Sequence, residues 1–143
     1  MDRTLEAIAL SCVVECERQH VGLDRLACLI SGYSYAVDNA GRLPTEGDLL
    51  HLAGVIEPMN NGRYRSTPVT FASGGFAASA QSIPGATARM FGYLDEDTDP
   101  DEFTRSLLRI HPFTDGNGRV AFVIRNWLAG TLLEPSALPD YEF

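Results

Sequence analysis

The segment from His111 to Arg119, HPFTDGNGR, carries most of the chemically useful side chains of this sequence. Its histidine is a natural general base near neutral pH. Asp115 is a hard oxygen ligand of the kind that suits Mg²⁺, and Arg119 offers a fork of donors that matches phosphate oxygens. These residue types together predict a site that handles a nucleotide and activates a hydroxyl group.

The residues that follow this segment indicate how the chain positions it. An apolar run, Val120 to Leu128, comes next, which predicts a loop that leads into a buried helix. A helix N-terminus presents unpaired backbone N–H groups and a partial positive charge, so it suits a phosphate. Gly116 and Gly118 would let the backbone approach an anion closely. A turn without a chemical role is the alternative, but a turn needs only two or three of these residues.

The segment resembles the signature loop of Fic (Fido-fold) proteins, which usually reads HPFx[DE]GNGRxxR. The segments 62–65 (GRYR) and 69–90 resemble the family's stretch before and through its substrate-docking hairpin, or flap. The resemblance implies one Fic domain over residues 1–143 and an all-α fold, a Fic helical bundle with a short β-hairpin flap.

The resemblance also implies an activity, protein adenylylation, in which AMP moves from ATP to a Ser, Thr or Tyr hydroxyl of a target protein. His111 would take the hydroxyl proton, and Asp115 would hold Mg²⁺ on the phosphates of the ATP co-substrate. Arg119 would bind the nucleotide and stabilise charge on the leaving side. The anion hole would be lined by Gly116, Asn117 and Gly118, with the Asn117 amide on phosphate.

The flap is expected at about residues 69–80, where it would pair with the extended backbone of the target by strand addition. Its docking residues would be Ser73, Gly74, Gly75 and Phe76. Arg65, just before the flap, has two interpretations. It is either solvated or close to the nucleotide site, because the matching stretch of the family carries an arginine there.

Position 122 departs from the family pattern, which has a second arginine where this sequence has Phe122. Arg125 lies almost one turn later, on a rotated face of the helix. The departure leaves three alternatives open: a Doc-like protein kinase, another nucleotide or phosphate transferase, and a catalytically weak Fic-fold binding module. The toxin Doc also lacks this arginine and transfers the γ-phosphate, but Gly116 and Gly118 match the AMP-transferring members.

A second departure concerns self-inhibition, which autoinhibited relatives achieve with the helical motif [ST]xxxE[GN]. The segment 11–16, SCVVEC, comes close to it but ends on Cys16. Because Phe122 replaces the arginine that would pair with an inhibitory glutamate, we expect Glu15 to lack a charge partner and to be a structural or surface residue. Control would then come from a separate antitoxin-like protein, as for a bacterial or phage toxin.

Composition bounds the class of protein and its partners. A chain of 143 residues that is 45% hydrophobic can bury the core of a single domain. The net charge of −8 argues against nucleic acid as the main partner. No apolar run long enough for a membrane span occurs. The three cysteines show no metal-ligand spacing, so buried free thiols in the cytoplasm are expected.

The apolar periodicity predicts mostly helical structure. Helices are expected at about residues 3–19, 23–37, 83–94, 101–109 and 118–132, with a short capped helix after Thr45. One strand is expected from Tyr64 to Phe71, at an edge or in a hairpin because of Pro68.

Overall fold

The computed structural model describes residues 3–71 and 73–141, which form a bundle of helices. The predicted all-α class is confirmed. The helices of the described chain are α1 Arg3–Arg18, α2 Leu23–Asp38, α3 Glu46–Ile56, α4 Ile83–Gly92, α5 Pro100–Ile110 and α6 Asn117–Ala129, with 3₁₀ turns at Pro58–Asn60 and Ala80–Ser82.

Helix α6 lies at the centre of the bundle and packs against α1, α2, α3 and α5. Every residue from Val120 to Ile124 is buried, so the prediction of a buried helix behind the motif is confirmed. The helix ends at Ala129, three residues before the predicted end at residue 132. Gly130 stops it, because its backbone takes the left-handed conformation (φ 71°) that favours glycine.

The start of α3 confirms the predicted cap. The Thr45 hydroxyl accepts the N–H of Asp48, and the Asp48 carboxylate accepts the N–H of Thr45 in return (2.8 Å). Burial alone would raise the pKa of Asp48, but hydrogen bonds from Arg42, Tyr35 and Thr45 outweigh it and hold that pKa below its usual range. The cap thereby fixes α3, whose C-terminal end lies beside the motif loop.

The segment between the 3₁₀ turns corrects the predicted strand. Among the described residues from Tyr64 to Phe71 there is no strand, and one isolated antiparallel bridge joins Thr70 to Phe76. Pro68 removes one donor from any ladder, and the N–H of Arg65 binds the Pro112 carbonyl (2.9 Å) in the motif loop. The expected flap is therefore a tight turn with a single bridge; its residue Ala72 lies outside the described residues.

The chain after α6, residues 131–141, begins with a turn and contains no helix or strand, and we call it the C-terminal strap. The Asn126 side chain bonds both backbone groups of Ser136 (2.9 and 3.1 Å). The Tyr33 hydroxyl donates to the Leu132 carbonyl (2.6 Å), and the N–H of Leu138 donates to Glu15 on α1 (3.0 Å). The strap thus ties α6 to α1.

Within residues 3–71 and 73–141, no helix has the length and apolar character that a membrane crossing requires.

Candidate functional site

His111 is the first residue after α5 and adopts a left-handed conformation (φ 53°, ψ 63°). That conformation costs a non-glycine residue about 1 kcal/mol, and such strain often occurs at functional sites. The His111 Nδ1 lies 3.3 Å from the Leu108 carbonyl oxygen. Because a carbonyl only accepts, Nδ1 carries the proton and Nε2 keeps a free lone pair. Nε2 is therefore the nitrogen that can act as a base.

The surroundings of His111 favour the neutral imidazole. Burial lowers the pKa of His111 below its usual value, and the nearby Arg65 guanidinium lowers it further. The hydrogen bond to Leu108 and the charge of Asp115 act in the opposite direction but do not reverse the shift. The base form is thus the populated form at neutral pH.

The loop between α5 and α6 is held by its own side chains. Phe113 is fully buried and stacks on Tyr64, with ring centroids 5.8 Å apart, as expected of a core anchor. The Asn117 side chain bonds the N–H and the carbonyl of Phe113 (3.0 and 2.8 Å). Its amide thereby closes the loop. For the predicted anion hole, the backbone N–H of Asn117 is better placed than the side chain.

The N-terminus of α6 offers backbone donors. The first intrahelical bond runs from Val120 N–H to the Gly116 carbonyl (3.0 Å), so the amides of residues 117–119 precede it and have no partner within the helix. Gly116 has φ 78°. At Gly118, a Cβ would come within 2.8 Å of the Gln19 side chain, so the residue that follows α1 lies against the start of α6 at this glycine.

Asp115 is the carboxylate best placed for a metal. Its side chain is 69% exposed, and its Oδ1 accepts the Gly116 N–H (2.7 Å). Asn60 fixes its backbone by donating to its carbonyl (2.9 Å). Among the described residues, no three His, Cys, Asp or Glu side chains cluster as a metal site. A single exposed carboxylate fits Mg²⁺, which commonly takes its other ligands from phosphates and water.

Arg119 lies beneath the loop and is only 1% exposed. Its guanidinium is 3.4 Å from the Ile56 carbonyl, 3.5 Å from Glu57 and 3.6 Å from Asp115, and its Nε has no hydrogen-bond partner in the described chain. Glu57 is also buried and accepts from Arg25 (2.9 Å). Arg119 therefore supports the loop from below, and its predicted contact with nucleotide stays a prediction.

Arg65 links the motif to the turn that precedes α4. It is 4% exposed, and its guanidinium donates to the carbonyls of His111, Ile110, Thr67 and Ala78 at 2.5–3.0 Å. Of its two interpretations, the solvated one is wrong. The side chain lies next to the motif loop, but it binds backbone there, so it positions His111.

A cavity of about 440 Å³ opens beside His111. The motif contributes His111 and Gly118, α5 contributes Leu108, and α1 and the strap form the rest of the wall. The lining from α1, from the residue that follows it and from the strap is Glu15, Arg18, Gln19, Leu138, Pro139, Asp140 and Tyr141. Sequence reasoning missed Arg18 and Gln19. The signal was their spacing, because positions three and four after Glu15 share its helix face.

The sequence model of the Fic/DOC family matches residues 44–129, more than half of the chain. The chain belongs to the Fic/DOC family. A comparison with curated proteins gives no match.

Three solved structures share the fold. A Fic family protein from Desulfovibrio desulfuricans G20 is 22% identical over 92% of this chain and 49% of its own, with a TM-score of 0.61. A Fic domain containing signaling protein from Bacteroides thetaiotaomicron VPI-5482 is 23% identical over 73% of this chain and 46% of its own (TM-score 0.59). Fic-1 (residues 134–508) from C. elegans is 22% identical over 78% of this chain and 38% of its own (TM-score 0.56). This Fic-family chain thus spans less than half of each.

Glu15 of this Fic-family chain is buried (1% exposed) and lines the cavity. Its carboxylate accepts from Arg18 (2.9 Å), from Gln19 (3.1 Å) and from the Leu138 N–H. The expectation that Glu15 lacks a charge partner is therefore wrong, because Arg18 lies one turn later on the same face of α1. Its expected structural role is in line with these bonds.

Phe122 and Arg125, the two positions on α6 considered for the second arginine, do not line the cavity. Phe122 is fully buried against Tyr33, with ring centroids 5.7 Å apart. Arg125 donates to Asp101 (2.9 Å) and Ser136 (2.7 Å). The described part of α6 therefore supplies no second arginine to the cavity wall.

The proposed docking residues of the flap are open to solvent. Ser73, Gly74, Gly75 and Phe76 are exposed, Phe76 by 77%. A second cavity, of about 510 Å³, adjoins them between Ser66 and Gln81. The ring of Phe71 meets the His111 imidazole edge-on at 5.6 Å, so this turn and the base are neighbours.

Proposed function

We propose that this chain is a protein adenylyltransferase that moves AMP from ATP to a Ser, Thr or Tyr hydroxyl of a target protein. The observation that carries the proposal is the combination of a neutral histidine with a free Nε2 and a glycine-flanked helix N-terminus, which share one cavity. Membership of the Fic/DOC family supports a transferase that uses a nucleotide.

In the proposed reaction, the target hydroxyl oxygen attacks the α-phosphorus of ATP. A bond forms between these atoms, the bond from the α-phosphorus to the bridging oxygen breaks, and pyrophosphate leaves. The hydroxyl proton moves to His111 Nε2. The chain contributes positioning, proton removal and backbone donors for the phosphates, which together lower the barrier of such transfers.

Asp115 would hold Mg²⁺, which when bound neutralises phosphate charge. The target would dock at the exposed turn with Ser73, Gly74, Gly75 and Phe76, where solvent-exposed backbone and an exposed ring are available to an extended peptide. The base lies close to this turn through the contact of Phe71 with His111.

Transfer of label from ATP to protein tests the proposal. Lysate is incubated with the chain and ATP labelled on the α-phosphate, and in parallel with ATP labelled on the γ-phosphate. Incorporation of the α-label alone, with AMP found on a hydroxyl side chain by mass spectrometry, is the expected result. His111→Ala serves as the control and should lower incorporation by about 10²–10⁴-fold, the usual range for loss of a general base.

A Doc-like kinase is the second candidate, and the burial of Phe122 favours it, because the family's second arginine is missing from the cavity. Incorporation of the γ-label alone would establish it in place of adenylylation. Nucleotide binding without incorporation of either label would instead establish a binding module.

A further inference from the structure

The chain has no lysine, so its permanently charged cationic side chains are eleven arginines. Near the motif loop, Arg119 and Arg65 are buried and tied to protein oxygens. Arg18, on the last turn of α1, differs from both. It lines the same cavity as His111 and Gly118, and its side chain remains 33% exposed.

The guanidinium of Arg18 has two fixed partners and one that can be exchanged. It donates to Glu15 Oε1 (2.9 Å) and to the Leu138 carbonyl (2.7 Å), which belong to a buried carboxylate and to the strap backbone. Its second terminal nitrogen donates to Asp140 (2.8 Å), whose side chain is 98% exposed. An exposed ion pair of this kind contributes little free energy, so a stronger anion can displace Asp140.

We infer that Arg18 is the phosphate-binding arginine of this site and that its guanidinium exchanges Asp140 for a phosphate oxygen of the nucleotide donor. The inference rests on the proposed function. A polyphosphate brings several negative charges into a cavity whose wall already contains Glu15 and Asp140. Arg18 is the one cation in that described wall, and a guanidinium fork matches phosphate geometry.

Glu15 and the Leu138 carbonyl would orient the fork for this exchange. They hold one terminal nitrogen, while the other points to the exposed partner. The family pattern places a second arginine on α6, at the position that the buried Phe122 occupies in this chain. Here the corresponding cation would come from α1, as Arg18.

A purely structural Arg18, which only ties the strap to α1, predicts a different pattern of mutant effects. Loss of either member of the Arg18–Asp140 pair would then weaken ligand binding or leave it unchanged. Phosphate binding by Arg18 predicts effects of opposite sign, because Asp140 competes with the ligand whereas Arg18 holds it.

Isothermal titration calorimetry with MgATP, and with inorganic tripolyphosphate as a probe of phosphate binding alone, tests the inference. Arg18→Met should weaken both ligands about ten-fold or more, the usual effect of losing a charged hydrogen bond. Asp140→Asn should tighten both by about 1.5- to 5-fold, as expected from an exposed ion pair. Arg89→Met removes an exposed charge from α4, away from the cavity, and should bind as the unmodified chain does.

Arg18→Met leaves buried Glu15 without its counter-charge, so its folding is checked by thermal unfolding. If it does not fold, Arg18→Lys replaces it and should still bind several-fold more weakly, because a point charge cannot form the fork. Unchanged affinity of the Arg18 variants, or unchanged or weaker binding by Asp140→Asn, would overturn the inference while leaving the proposed function intact. An unmodified chain that binds neither ligand would overturn both.

Discussion

Replacement of Arg65 by methionine should loosen the motif loop. The side chain is almost fully buried, and four carbonyl oxygens accept from it: His111 and Ile110 at the end of α5, and Thr67 and Ala78 on either side of the flap turn. Methionine keeps a similar length and removes every donor. The end of α5 and the turn would then lose their common partner.

The magnitude follows from the bonds and from the cost of burying a charge. Four charge-assisted bonds at about 1.5–3 kcal/mol each would sum to roughly 6–12 kcal/mol. Desolvation of the guanidinium offsets several kcal/mol of this sum, and the two carbonyls at the turn can return to water. We therefore expect a loss of about 3 kcal/mol in the free energy of unfolding, or roughly 10 °C in Tm for a chain of this size.

Urea and thermal unfolding measure this loss, with Arg63→Met as the matched control, since Arg63 is two positions away and exposed. A second readout is the titration of His111 by NMR. The Arg65 charge lowers the pKa of His111, so its removal should raise that pKa. A loss below about 1 kcal/mol, together with an unchanged titration, would show that these contacts do not stabilise the loop.

Three further predictions concern the site itself. Because burial lowers the pKa of His111, the transfer rate should stay constant as pH falls to about 6.5 and decline only below it. A rate that halves above pH 6.5 would contradict His111 as the base. The same shift should lower the stability of the fold below about pH 6.5, since His111 takes up its proton more readily in the unfolded chain. Asp115→Ala should abolish the Mg²⁺ dependence of ATP binding in calorimetry, and an unchanged dependence would remove Asp115 as the ligand. Glu15→Gly should cost about 3 kcal/mol of stability, from its lost bonds and a helical glycine. It should leave auto-modification within a few-fold, because the Leu138 carbonyl still orients the Arg18 guanidinium; strong activation would instead indicate relief of autoinhibition.

Local signals predicted most of the fold. The cap at Thr45 and the apolar run after Arg119 each act within one helix, so the sequence predicts them directly. The strand prediction failed because alternation around Pro68 resembles a strand, while the Arg65 N–H binds the motif loop and Pro68 has no N–H to donate. The stop at Gly130 was available in the sequence and was missed.

The wall of the site was harder to predict than its motif. The motif residues are consecutive, whereas Glu57, Arg18 and the strap approach the loop from distant parts of the sequence. Such contacts depend on how helices pack, which periodicity within one helix does not specify. The charge partner of Glu15 was missed for a different reason, because it was sought on α6 when it lies on α1 itself.

The burial of Phe122 limits how this site can be redesigned. Its ring packs on Tyr33, whose hydroxyl anchors the strap through Leu132. Phe122→Arg would place an unpaired charge in this core, at a cost of several kcal/mol, so one substitution does not restore the family pattern. A change in the proposed nucleotide preference is better sought at Gln19, just after α1, and at Asp140 in the strap, because neither side chain belongs to the core.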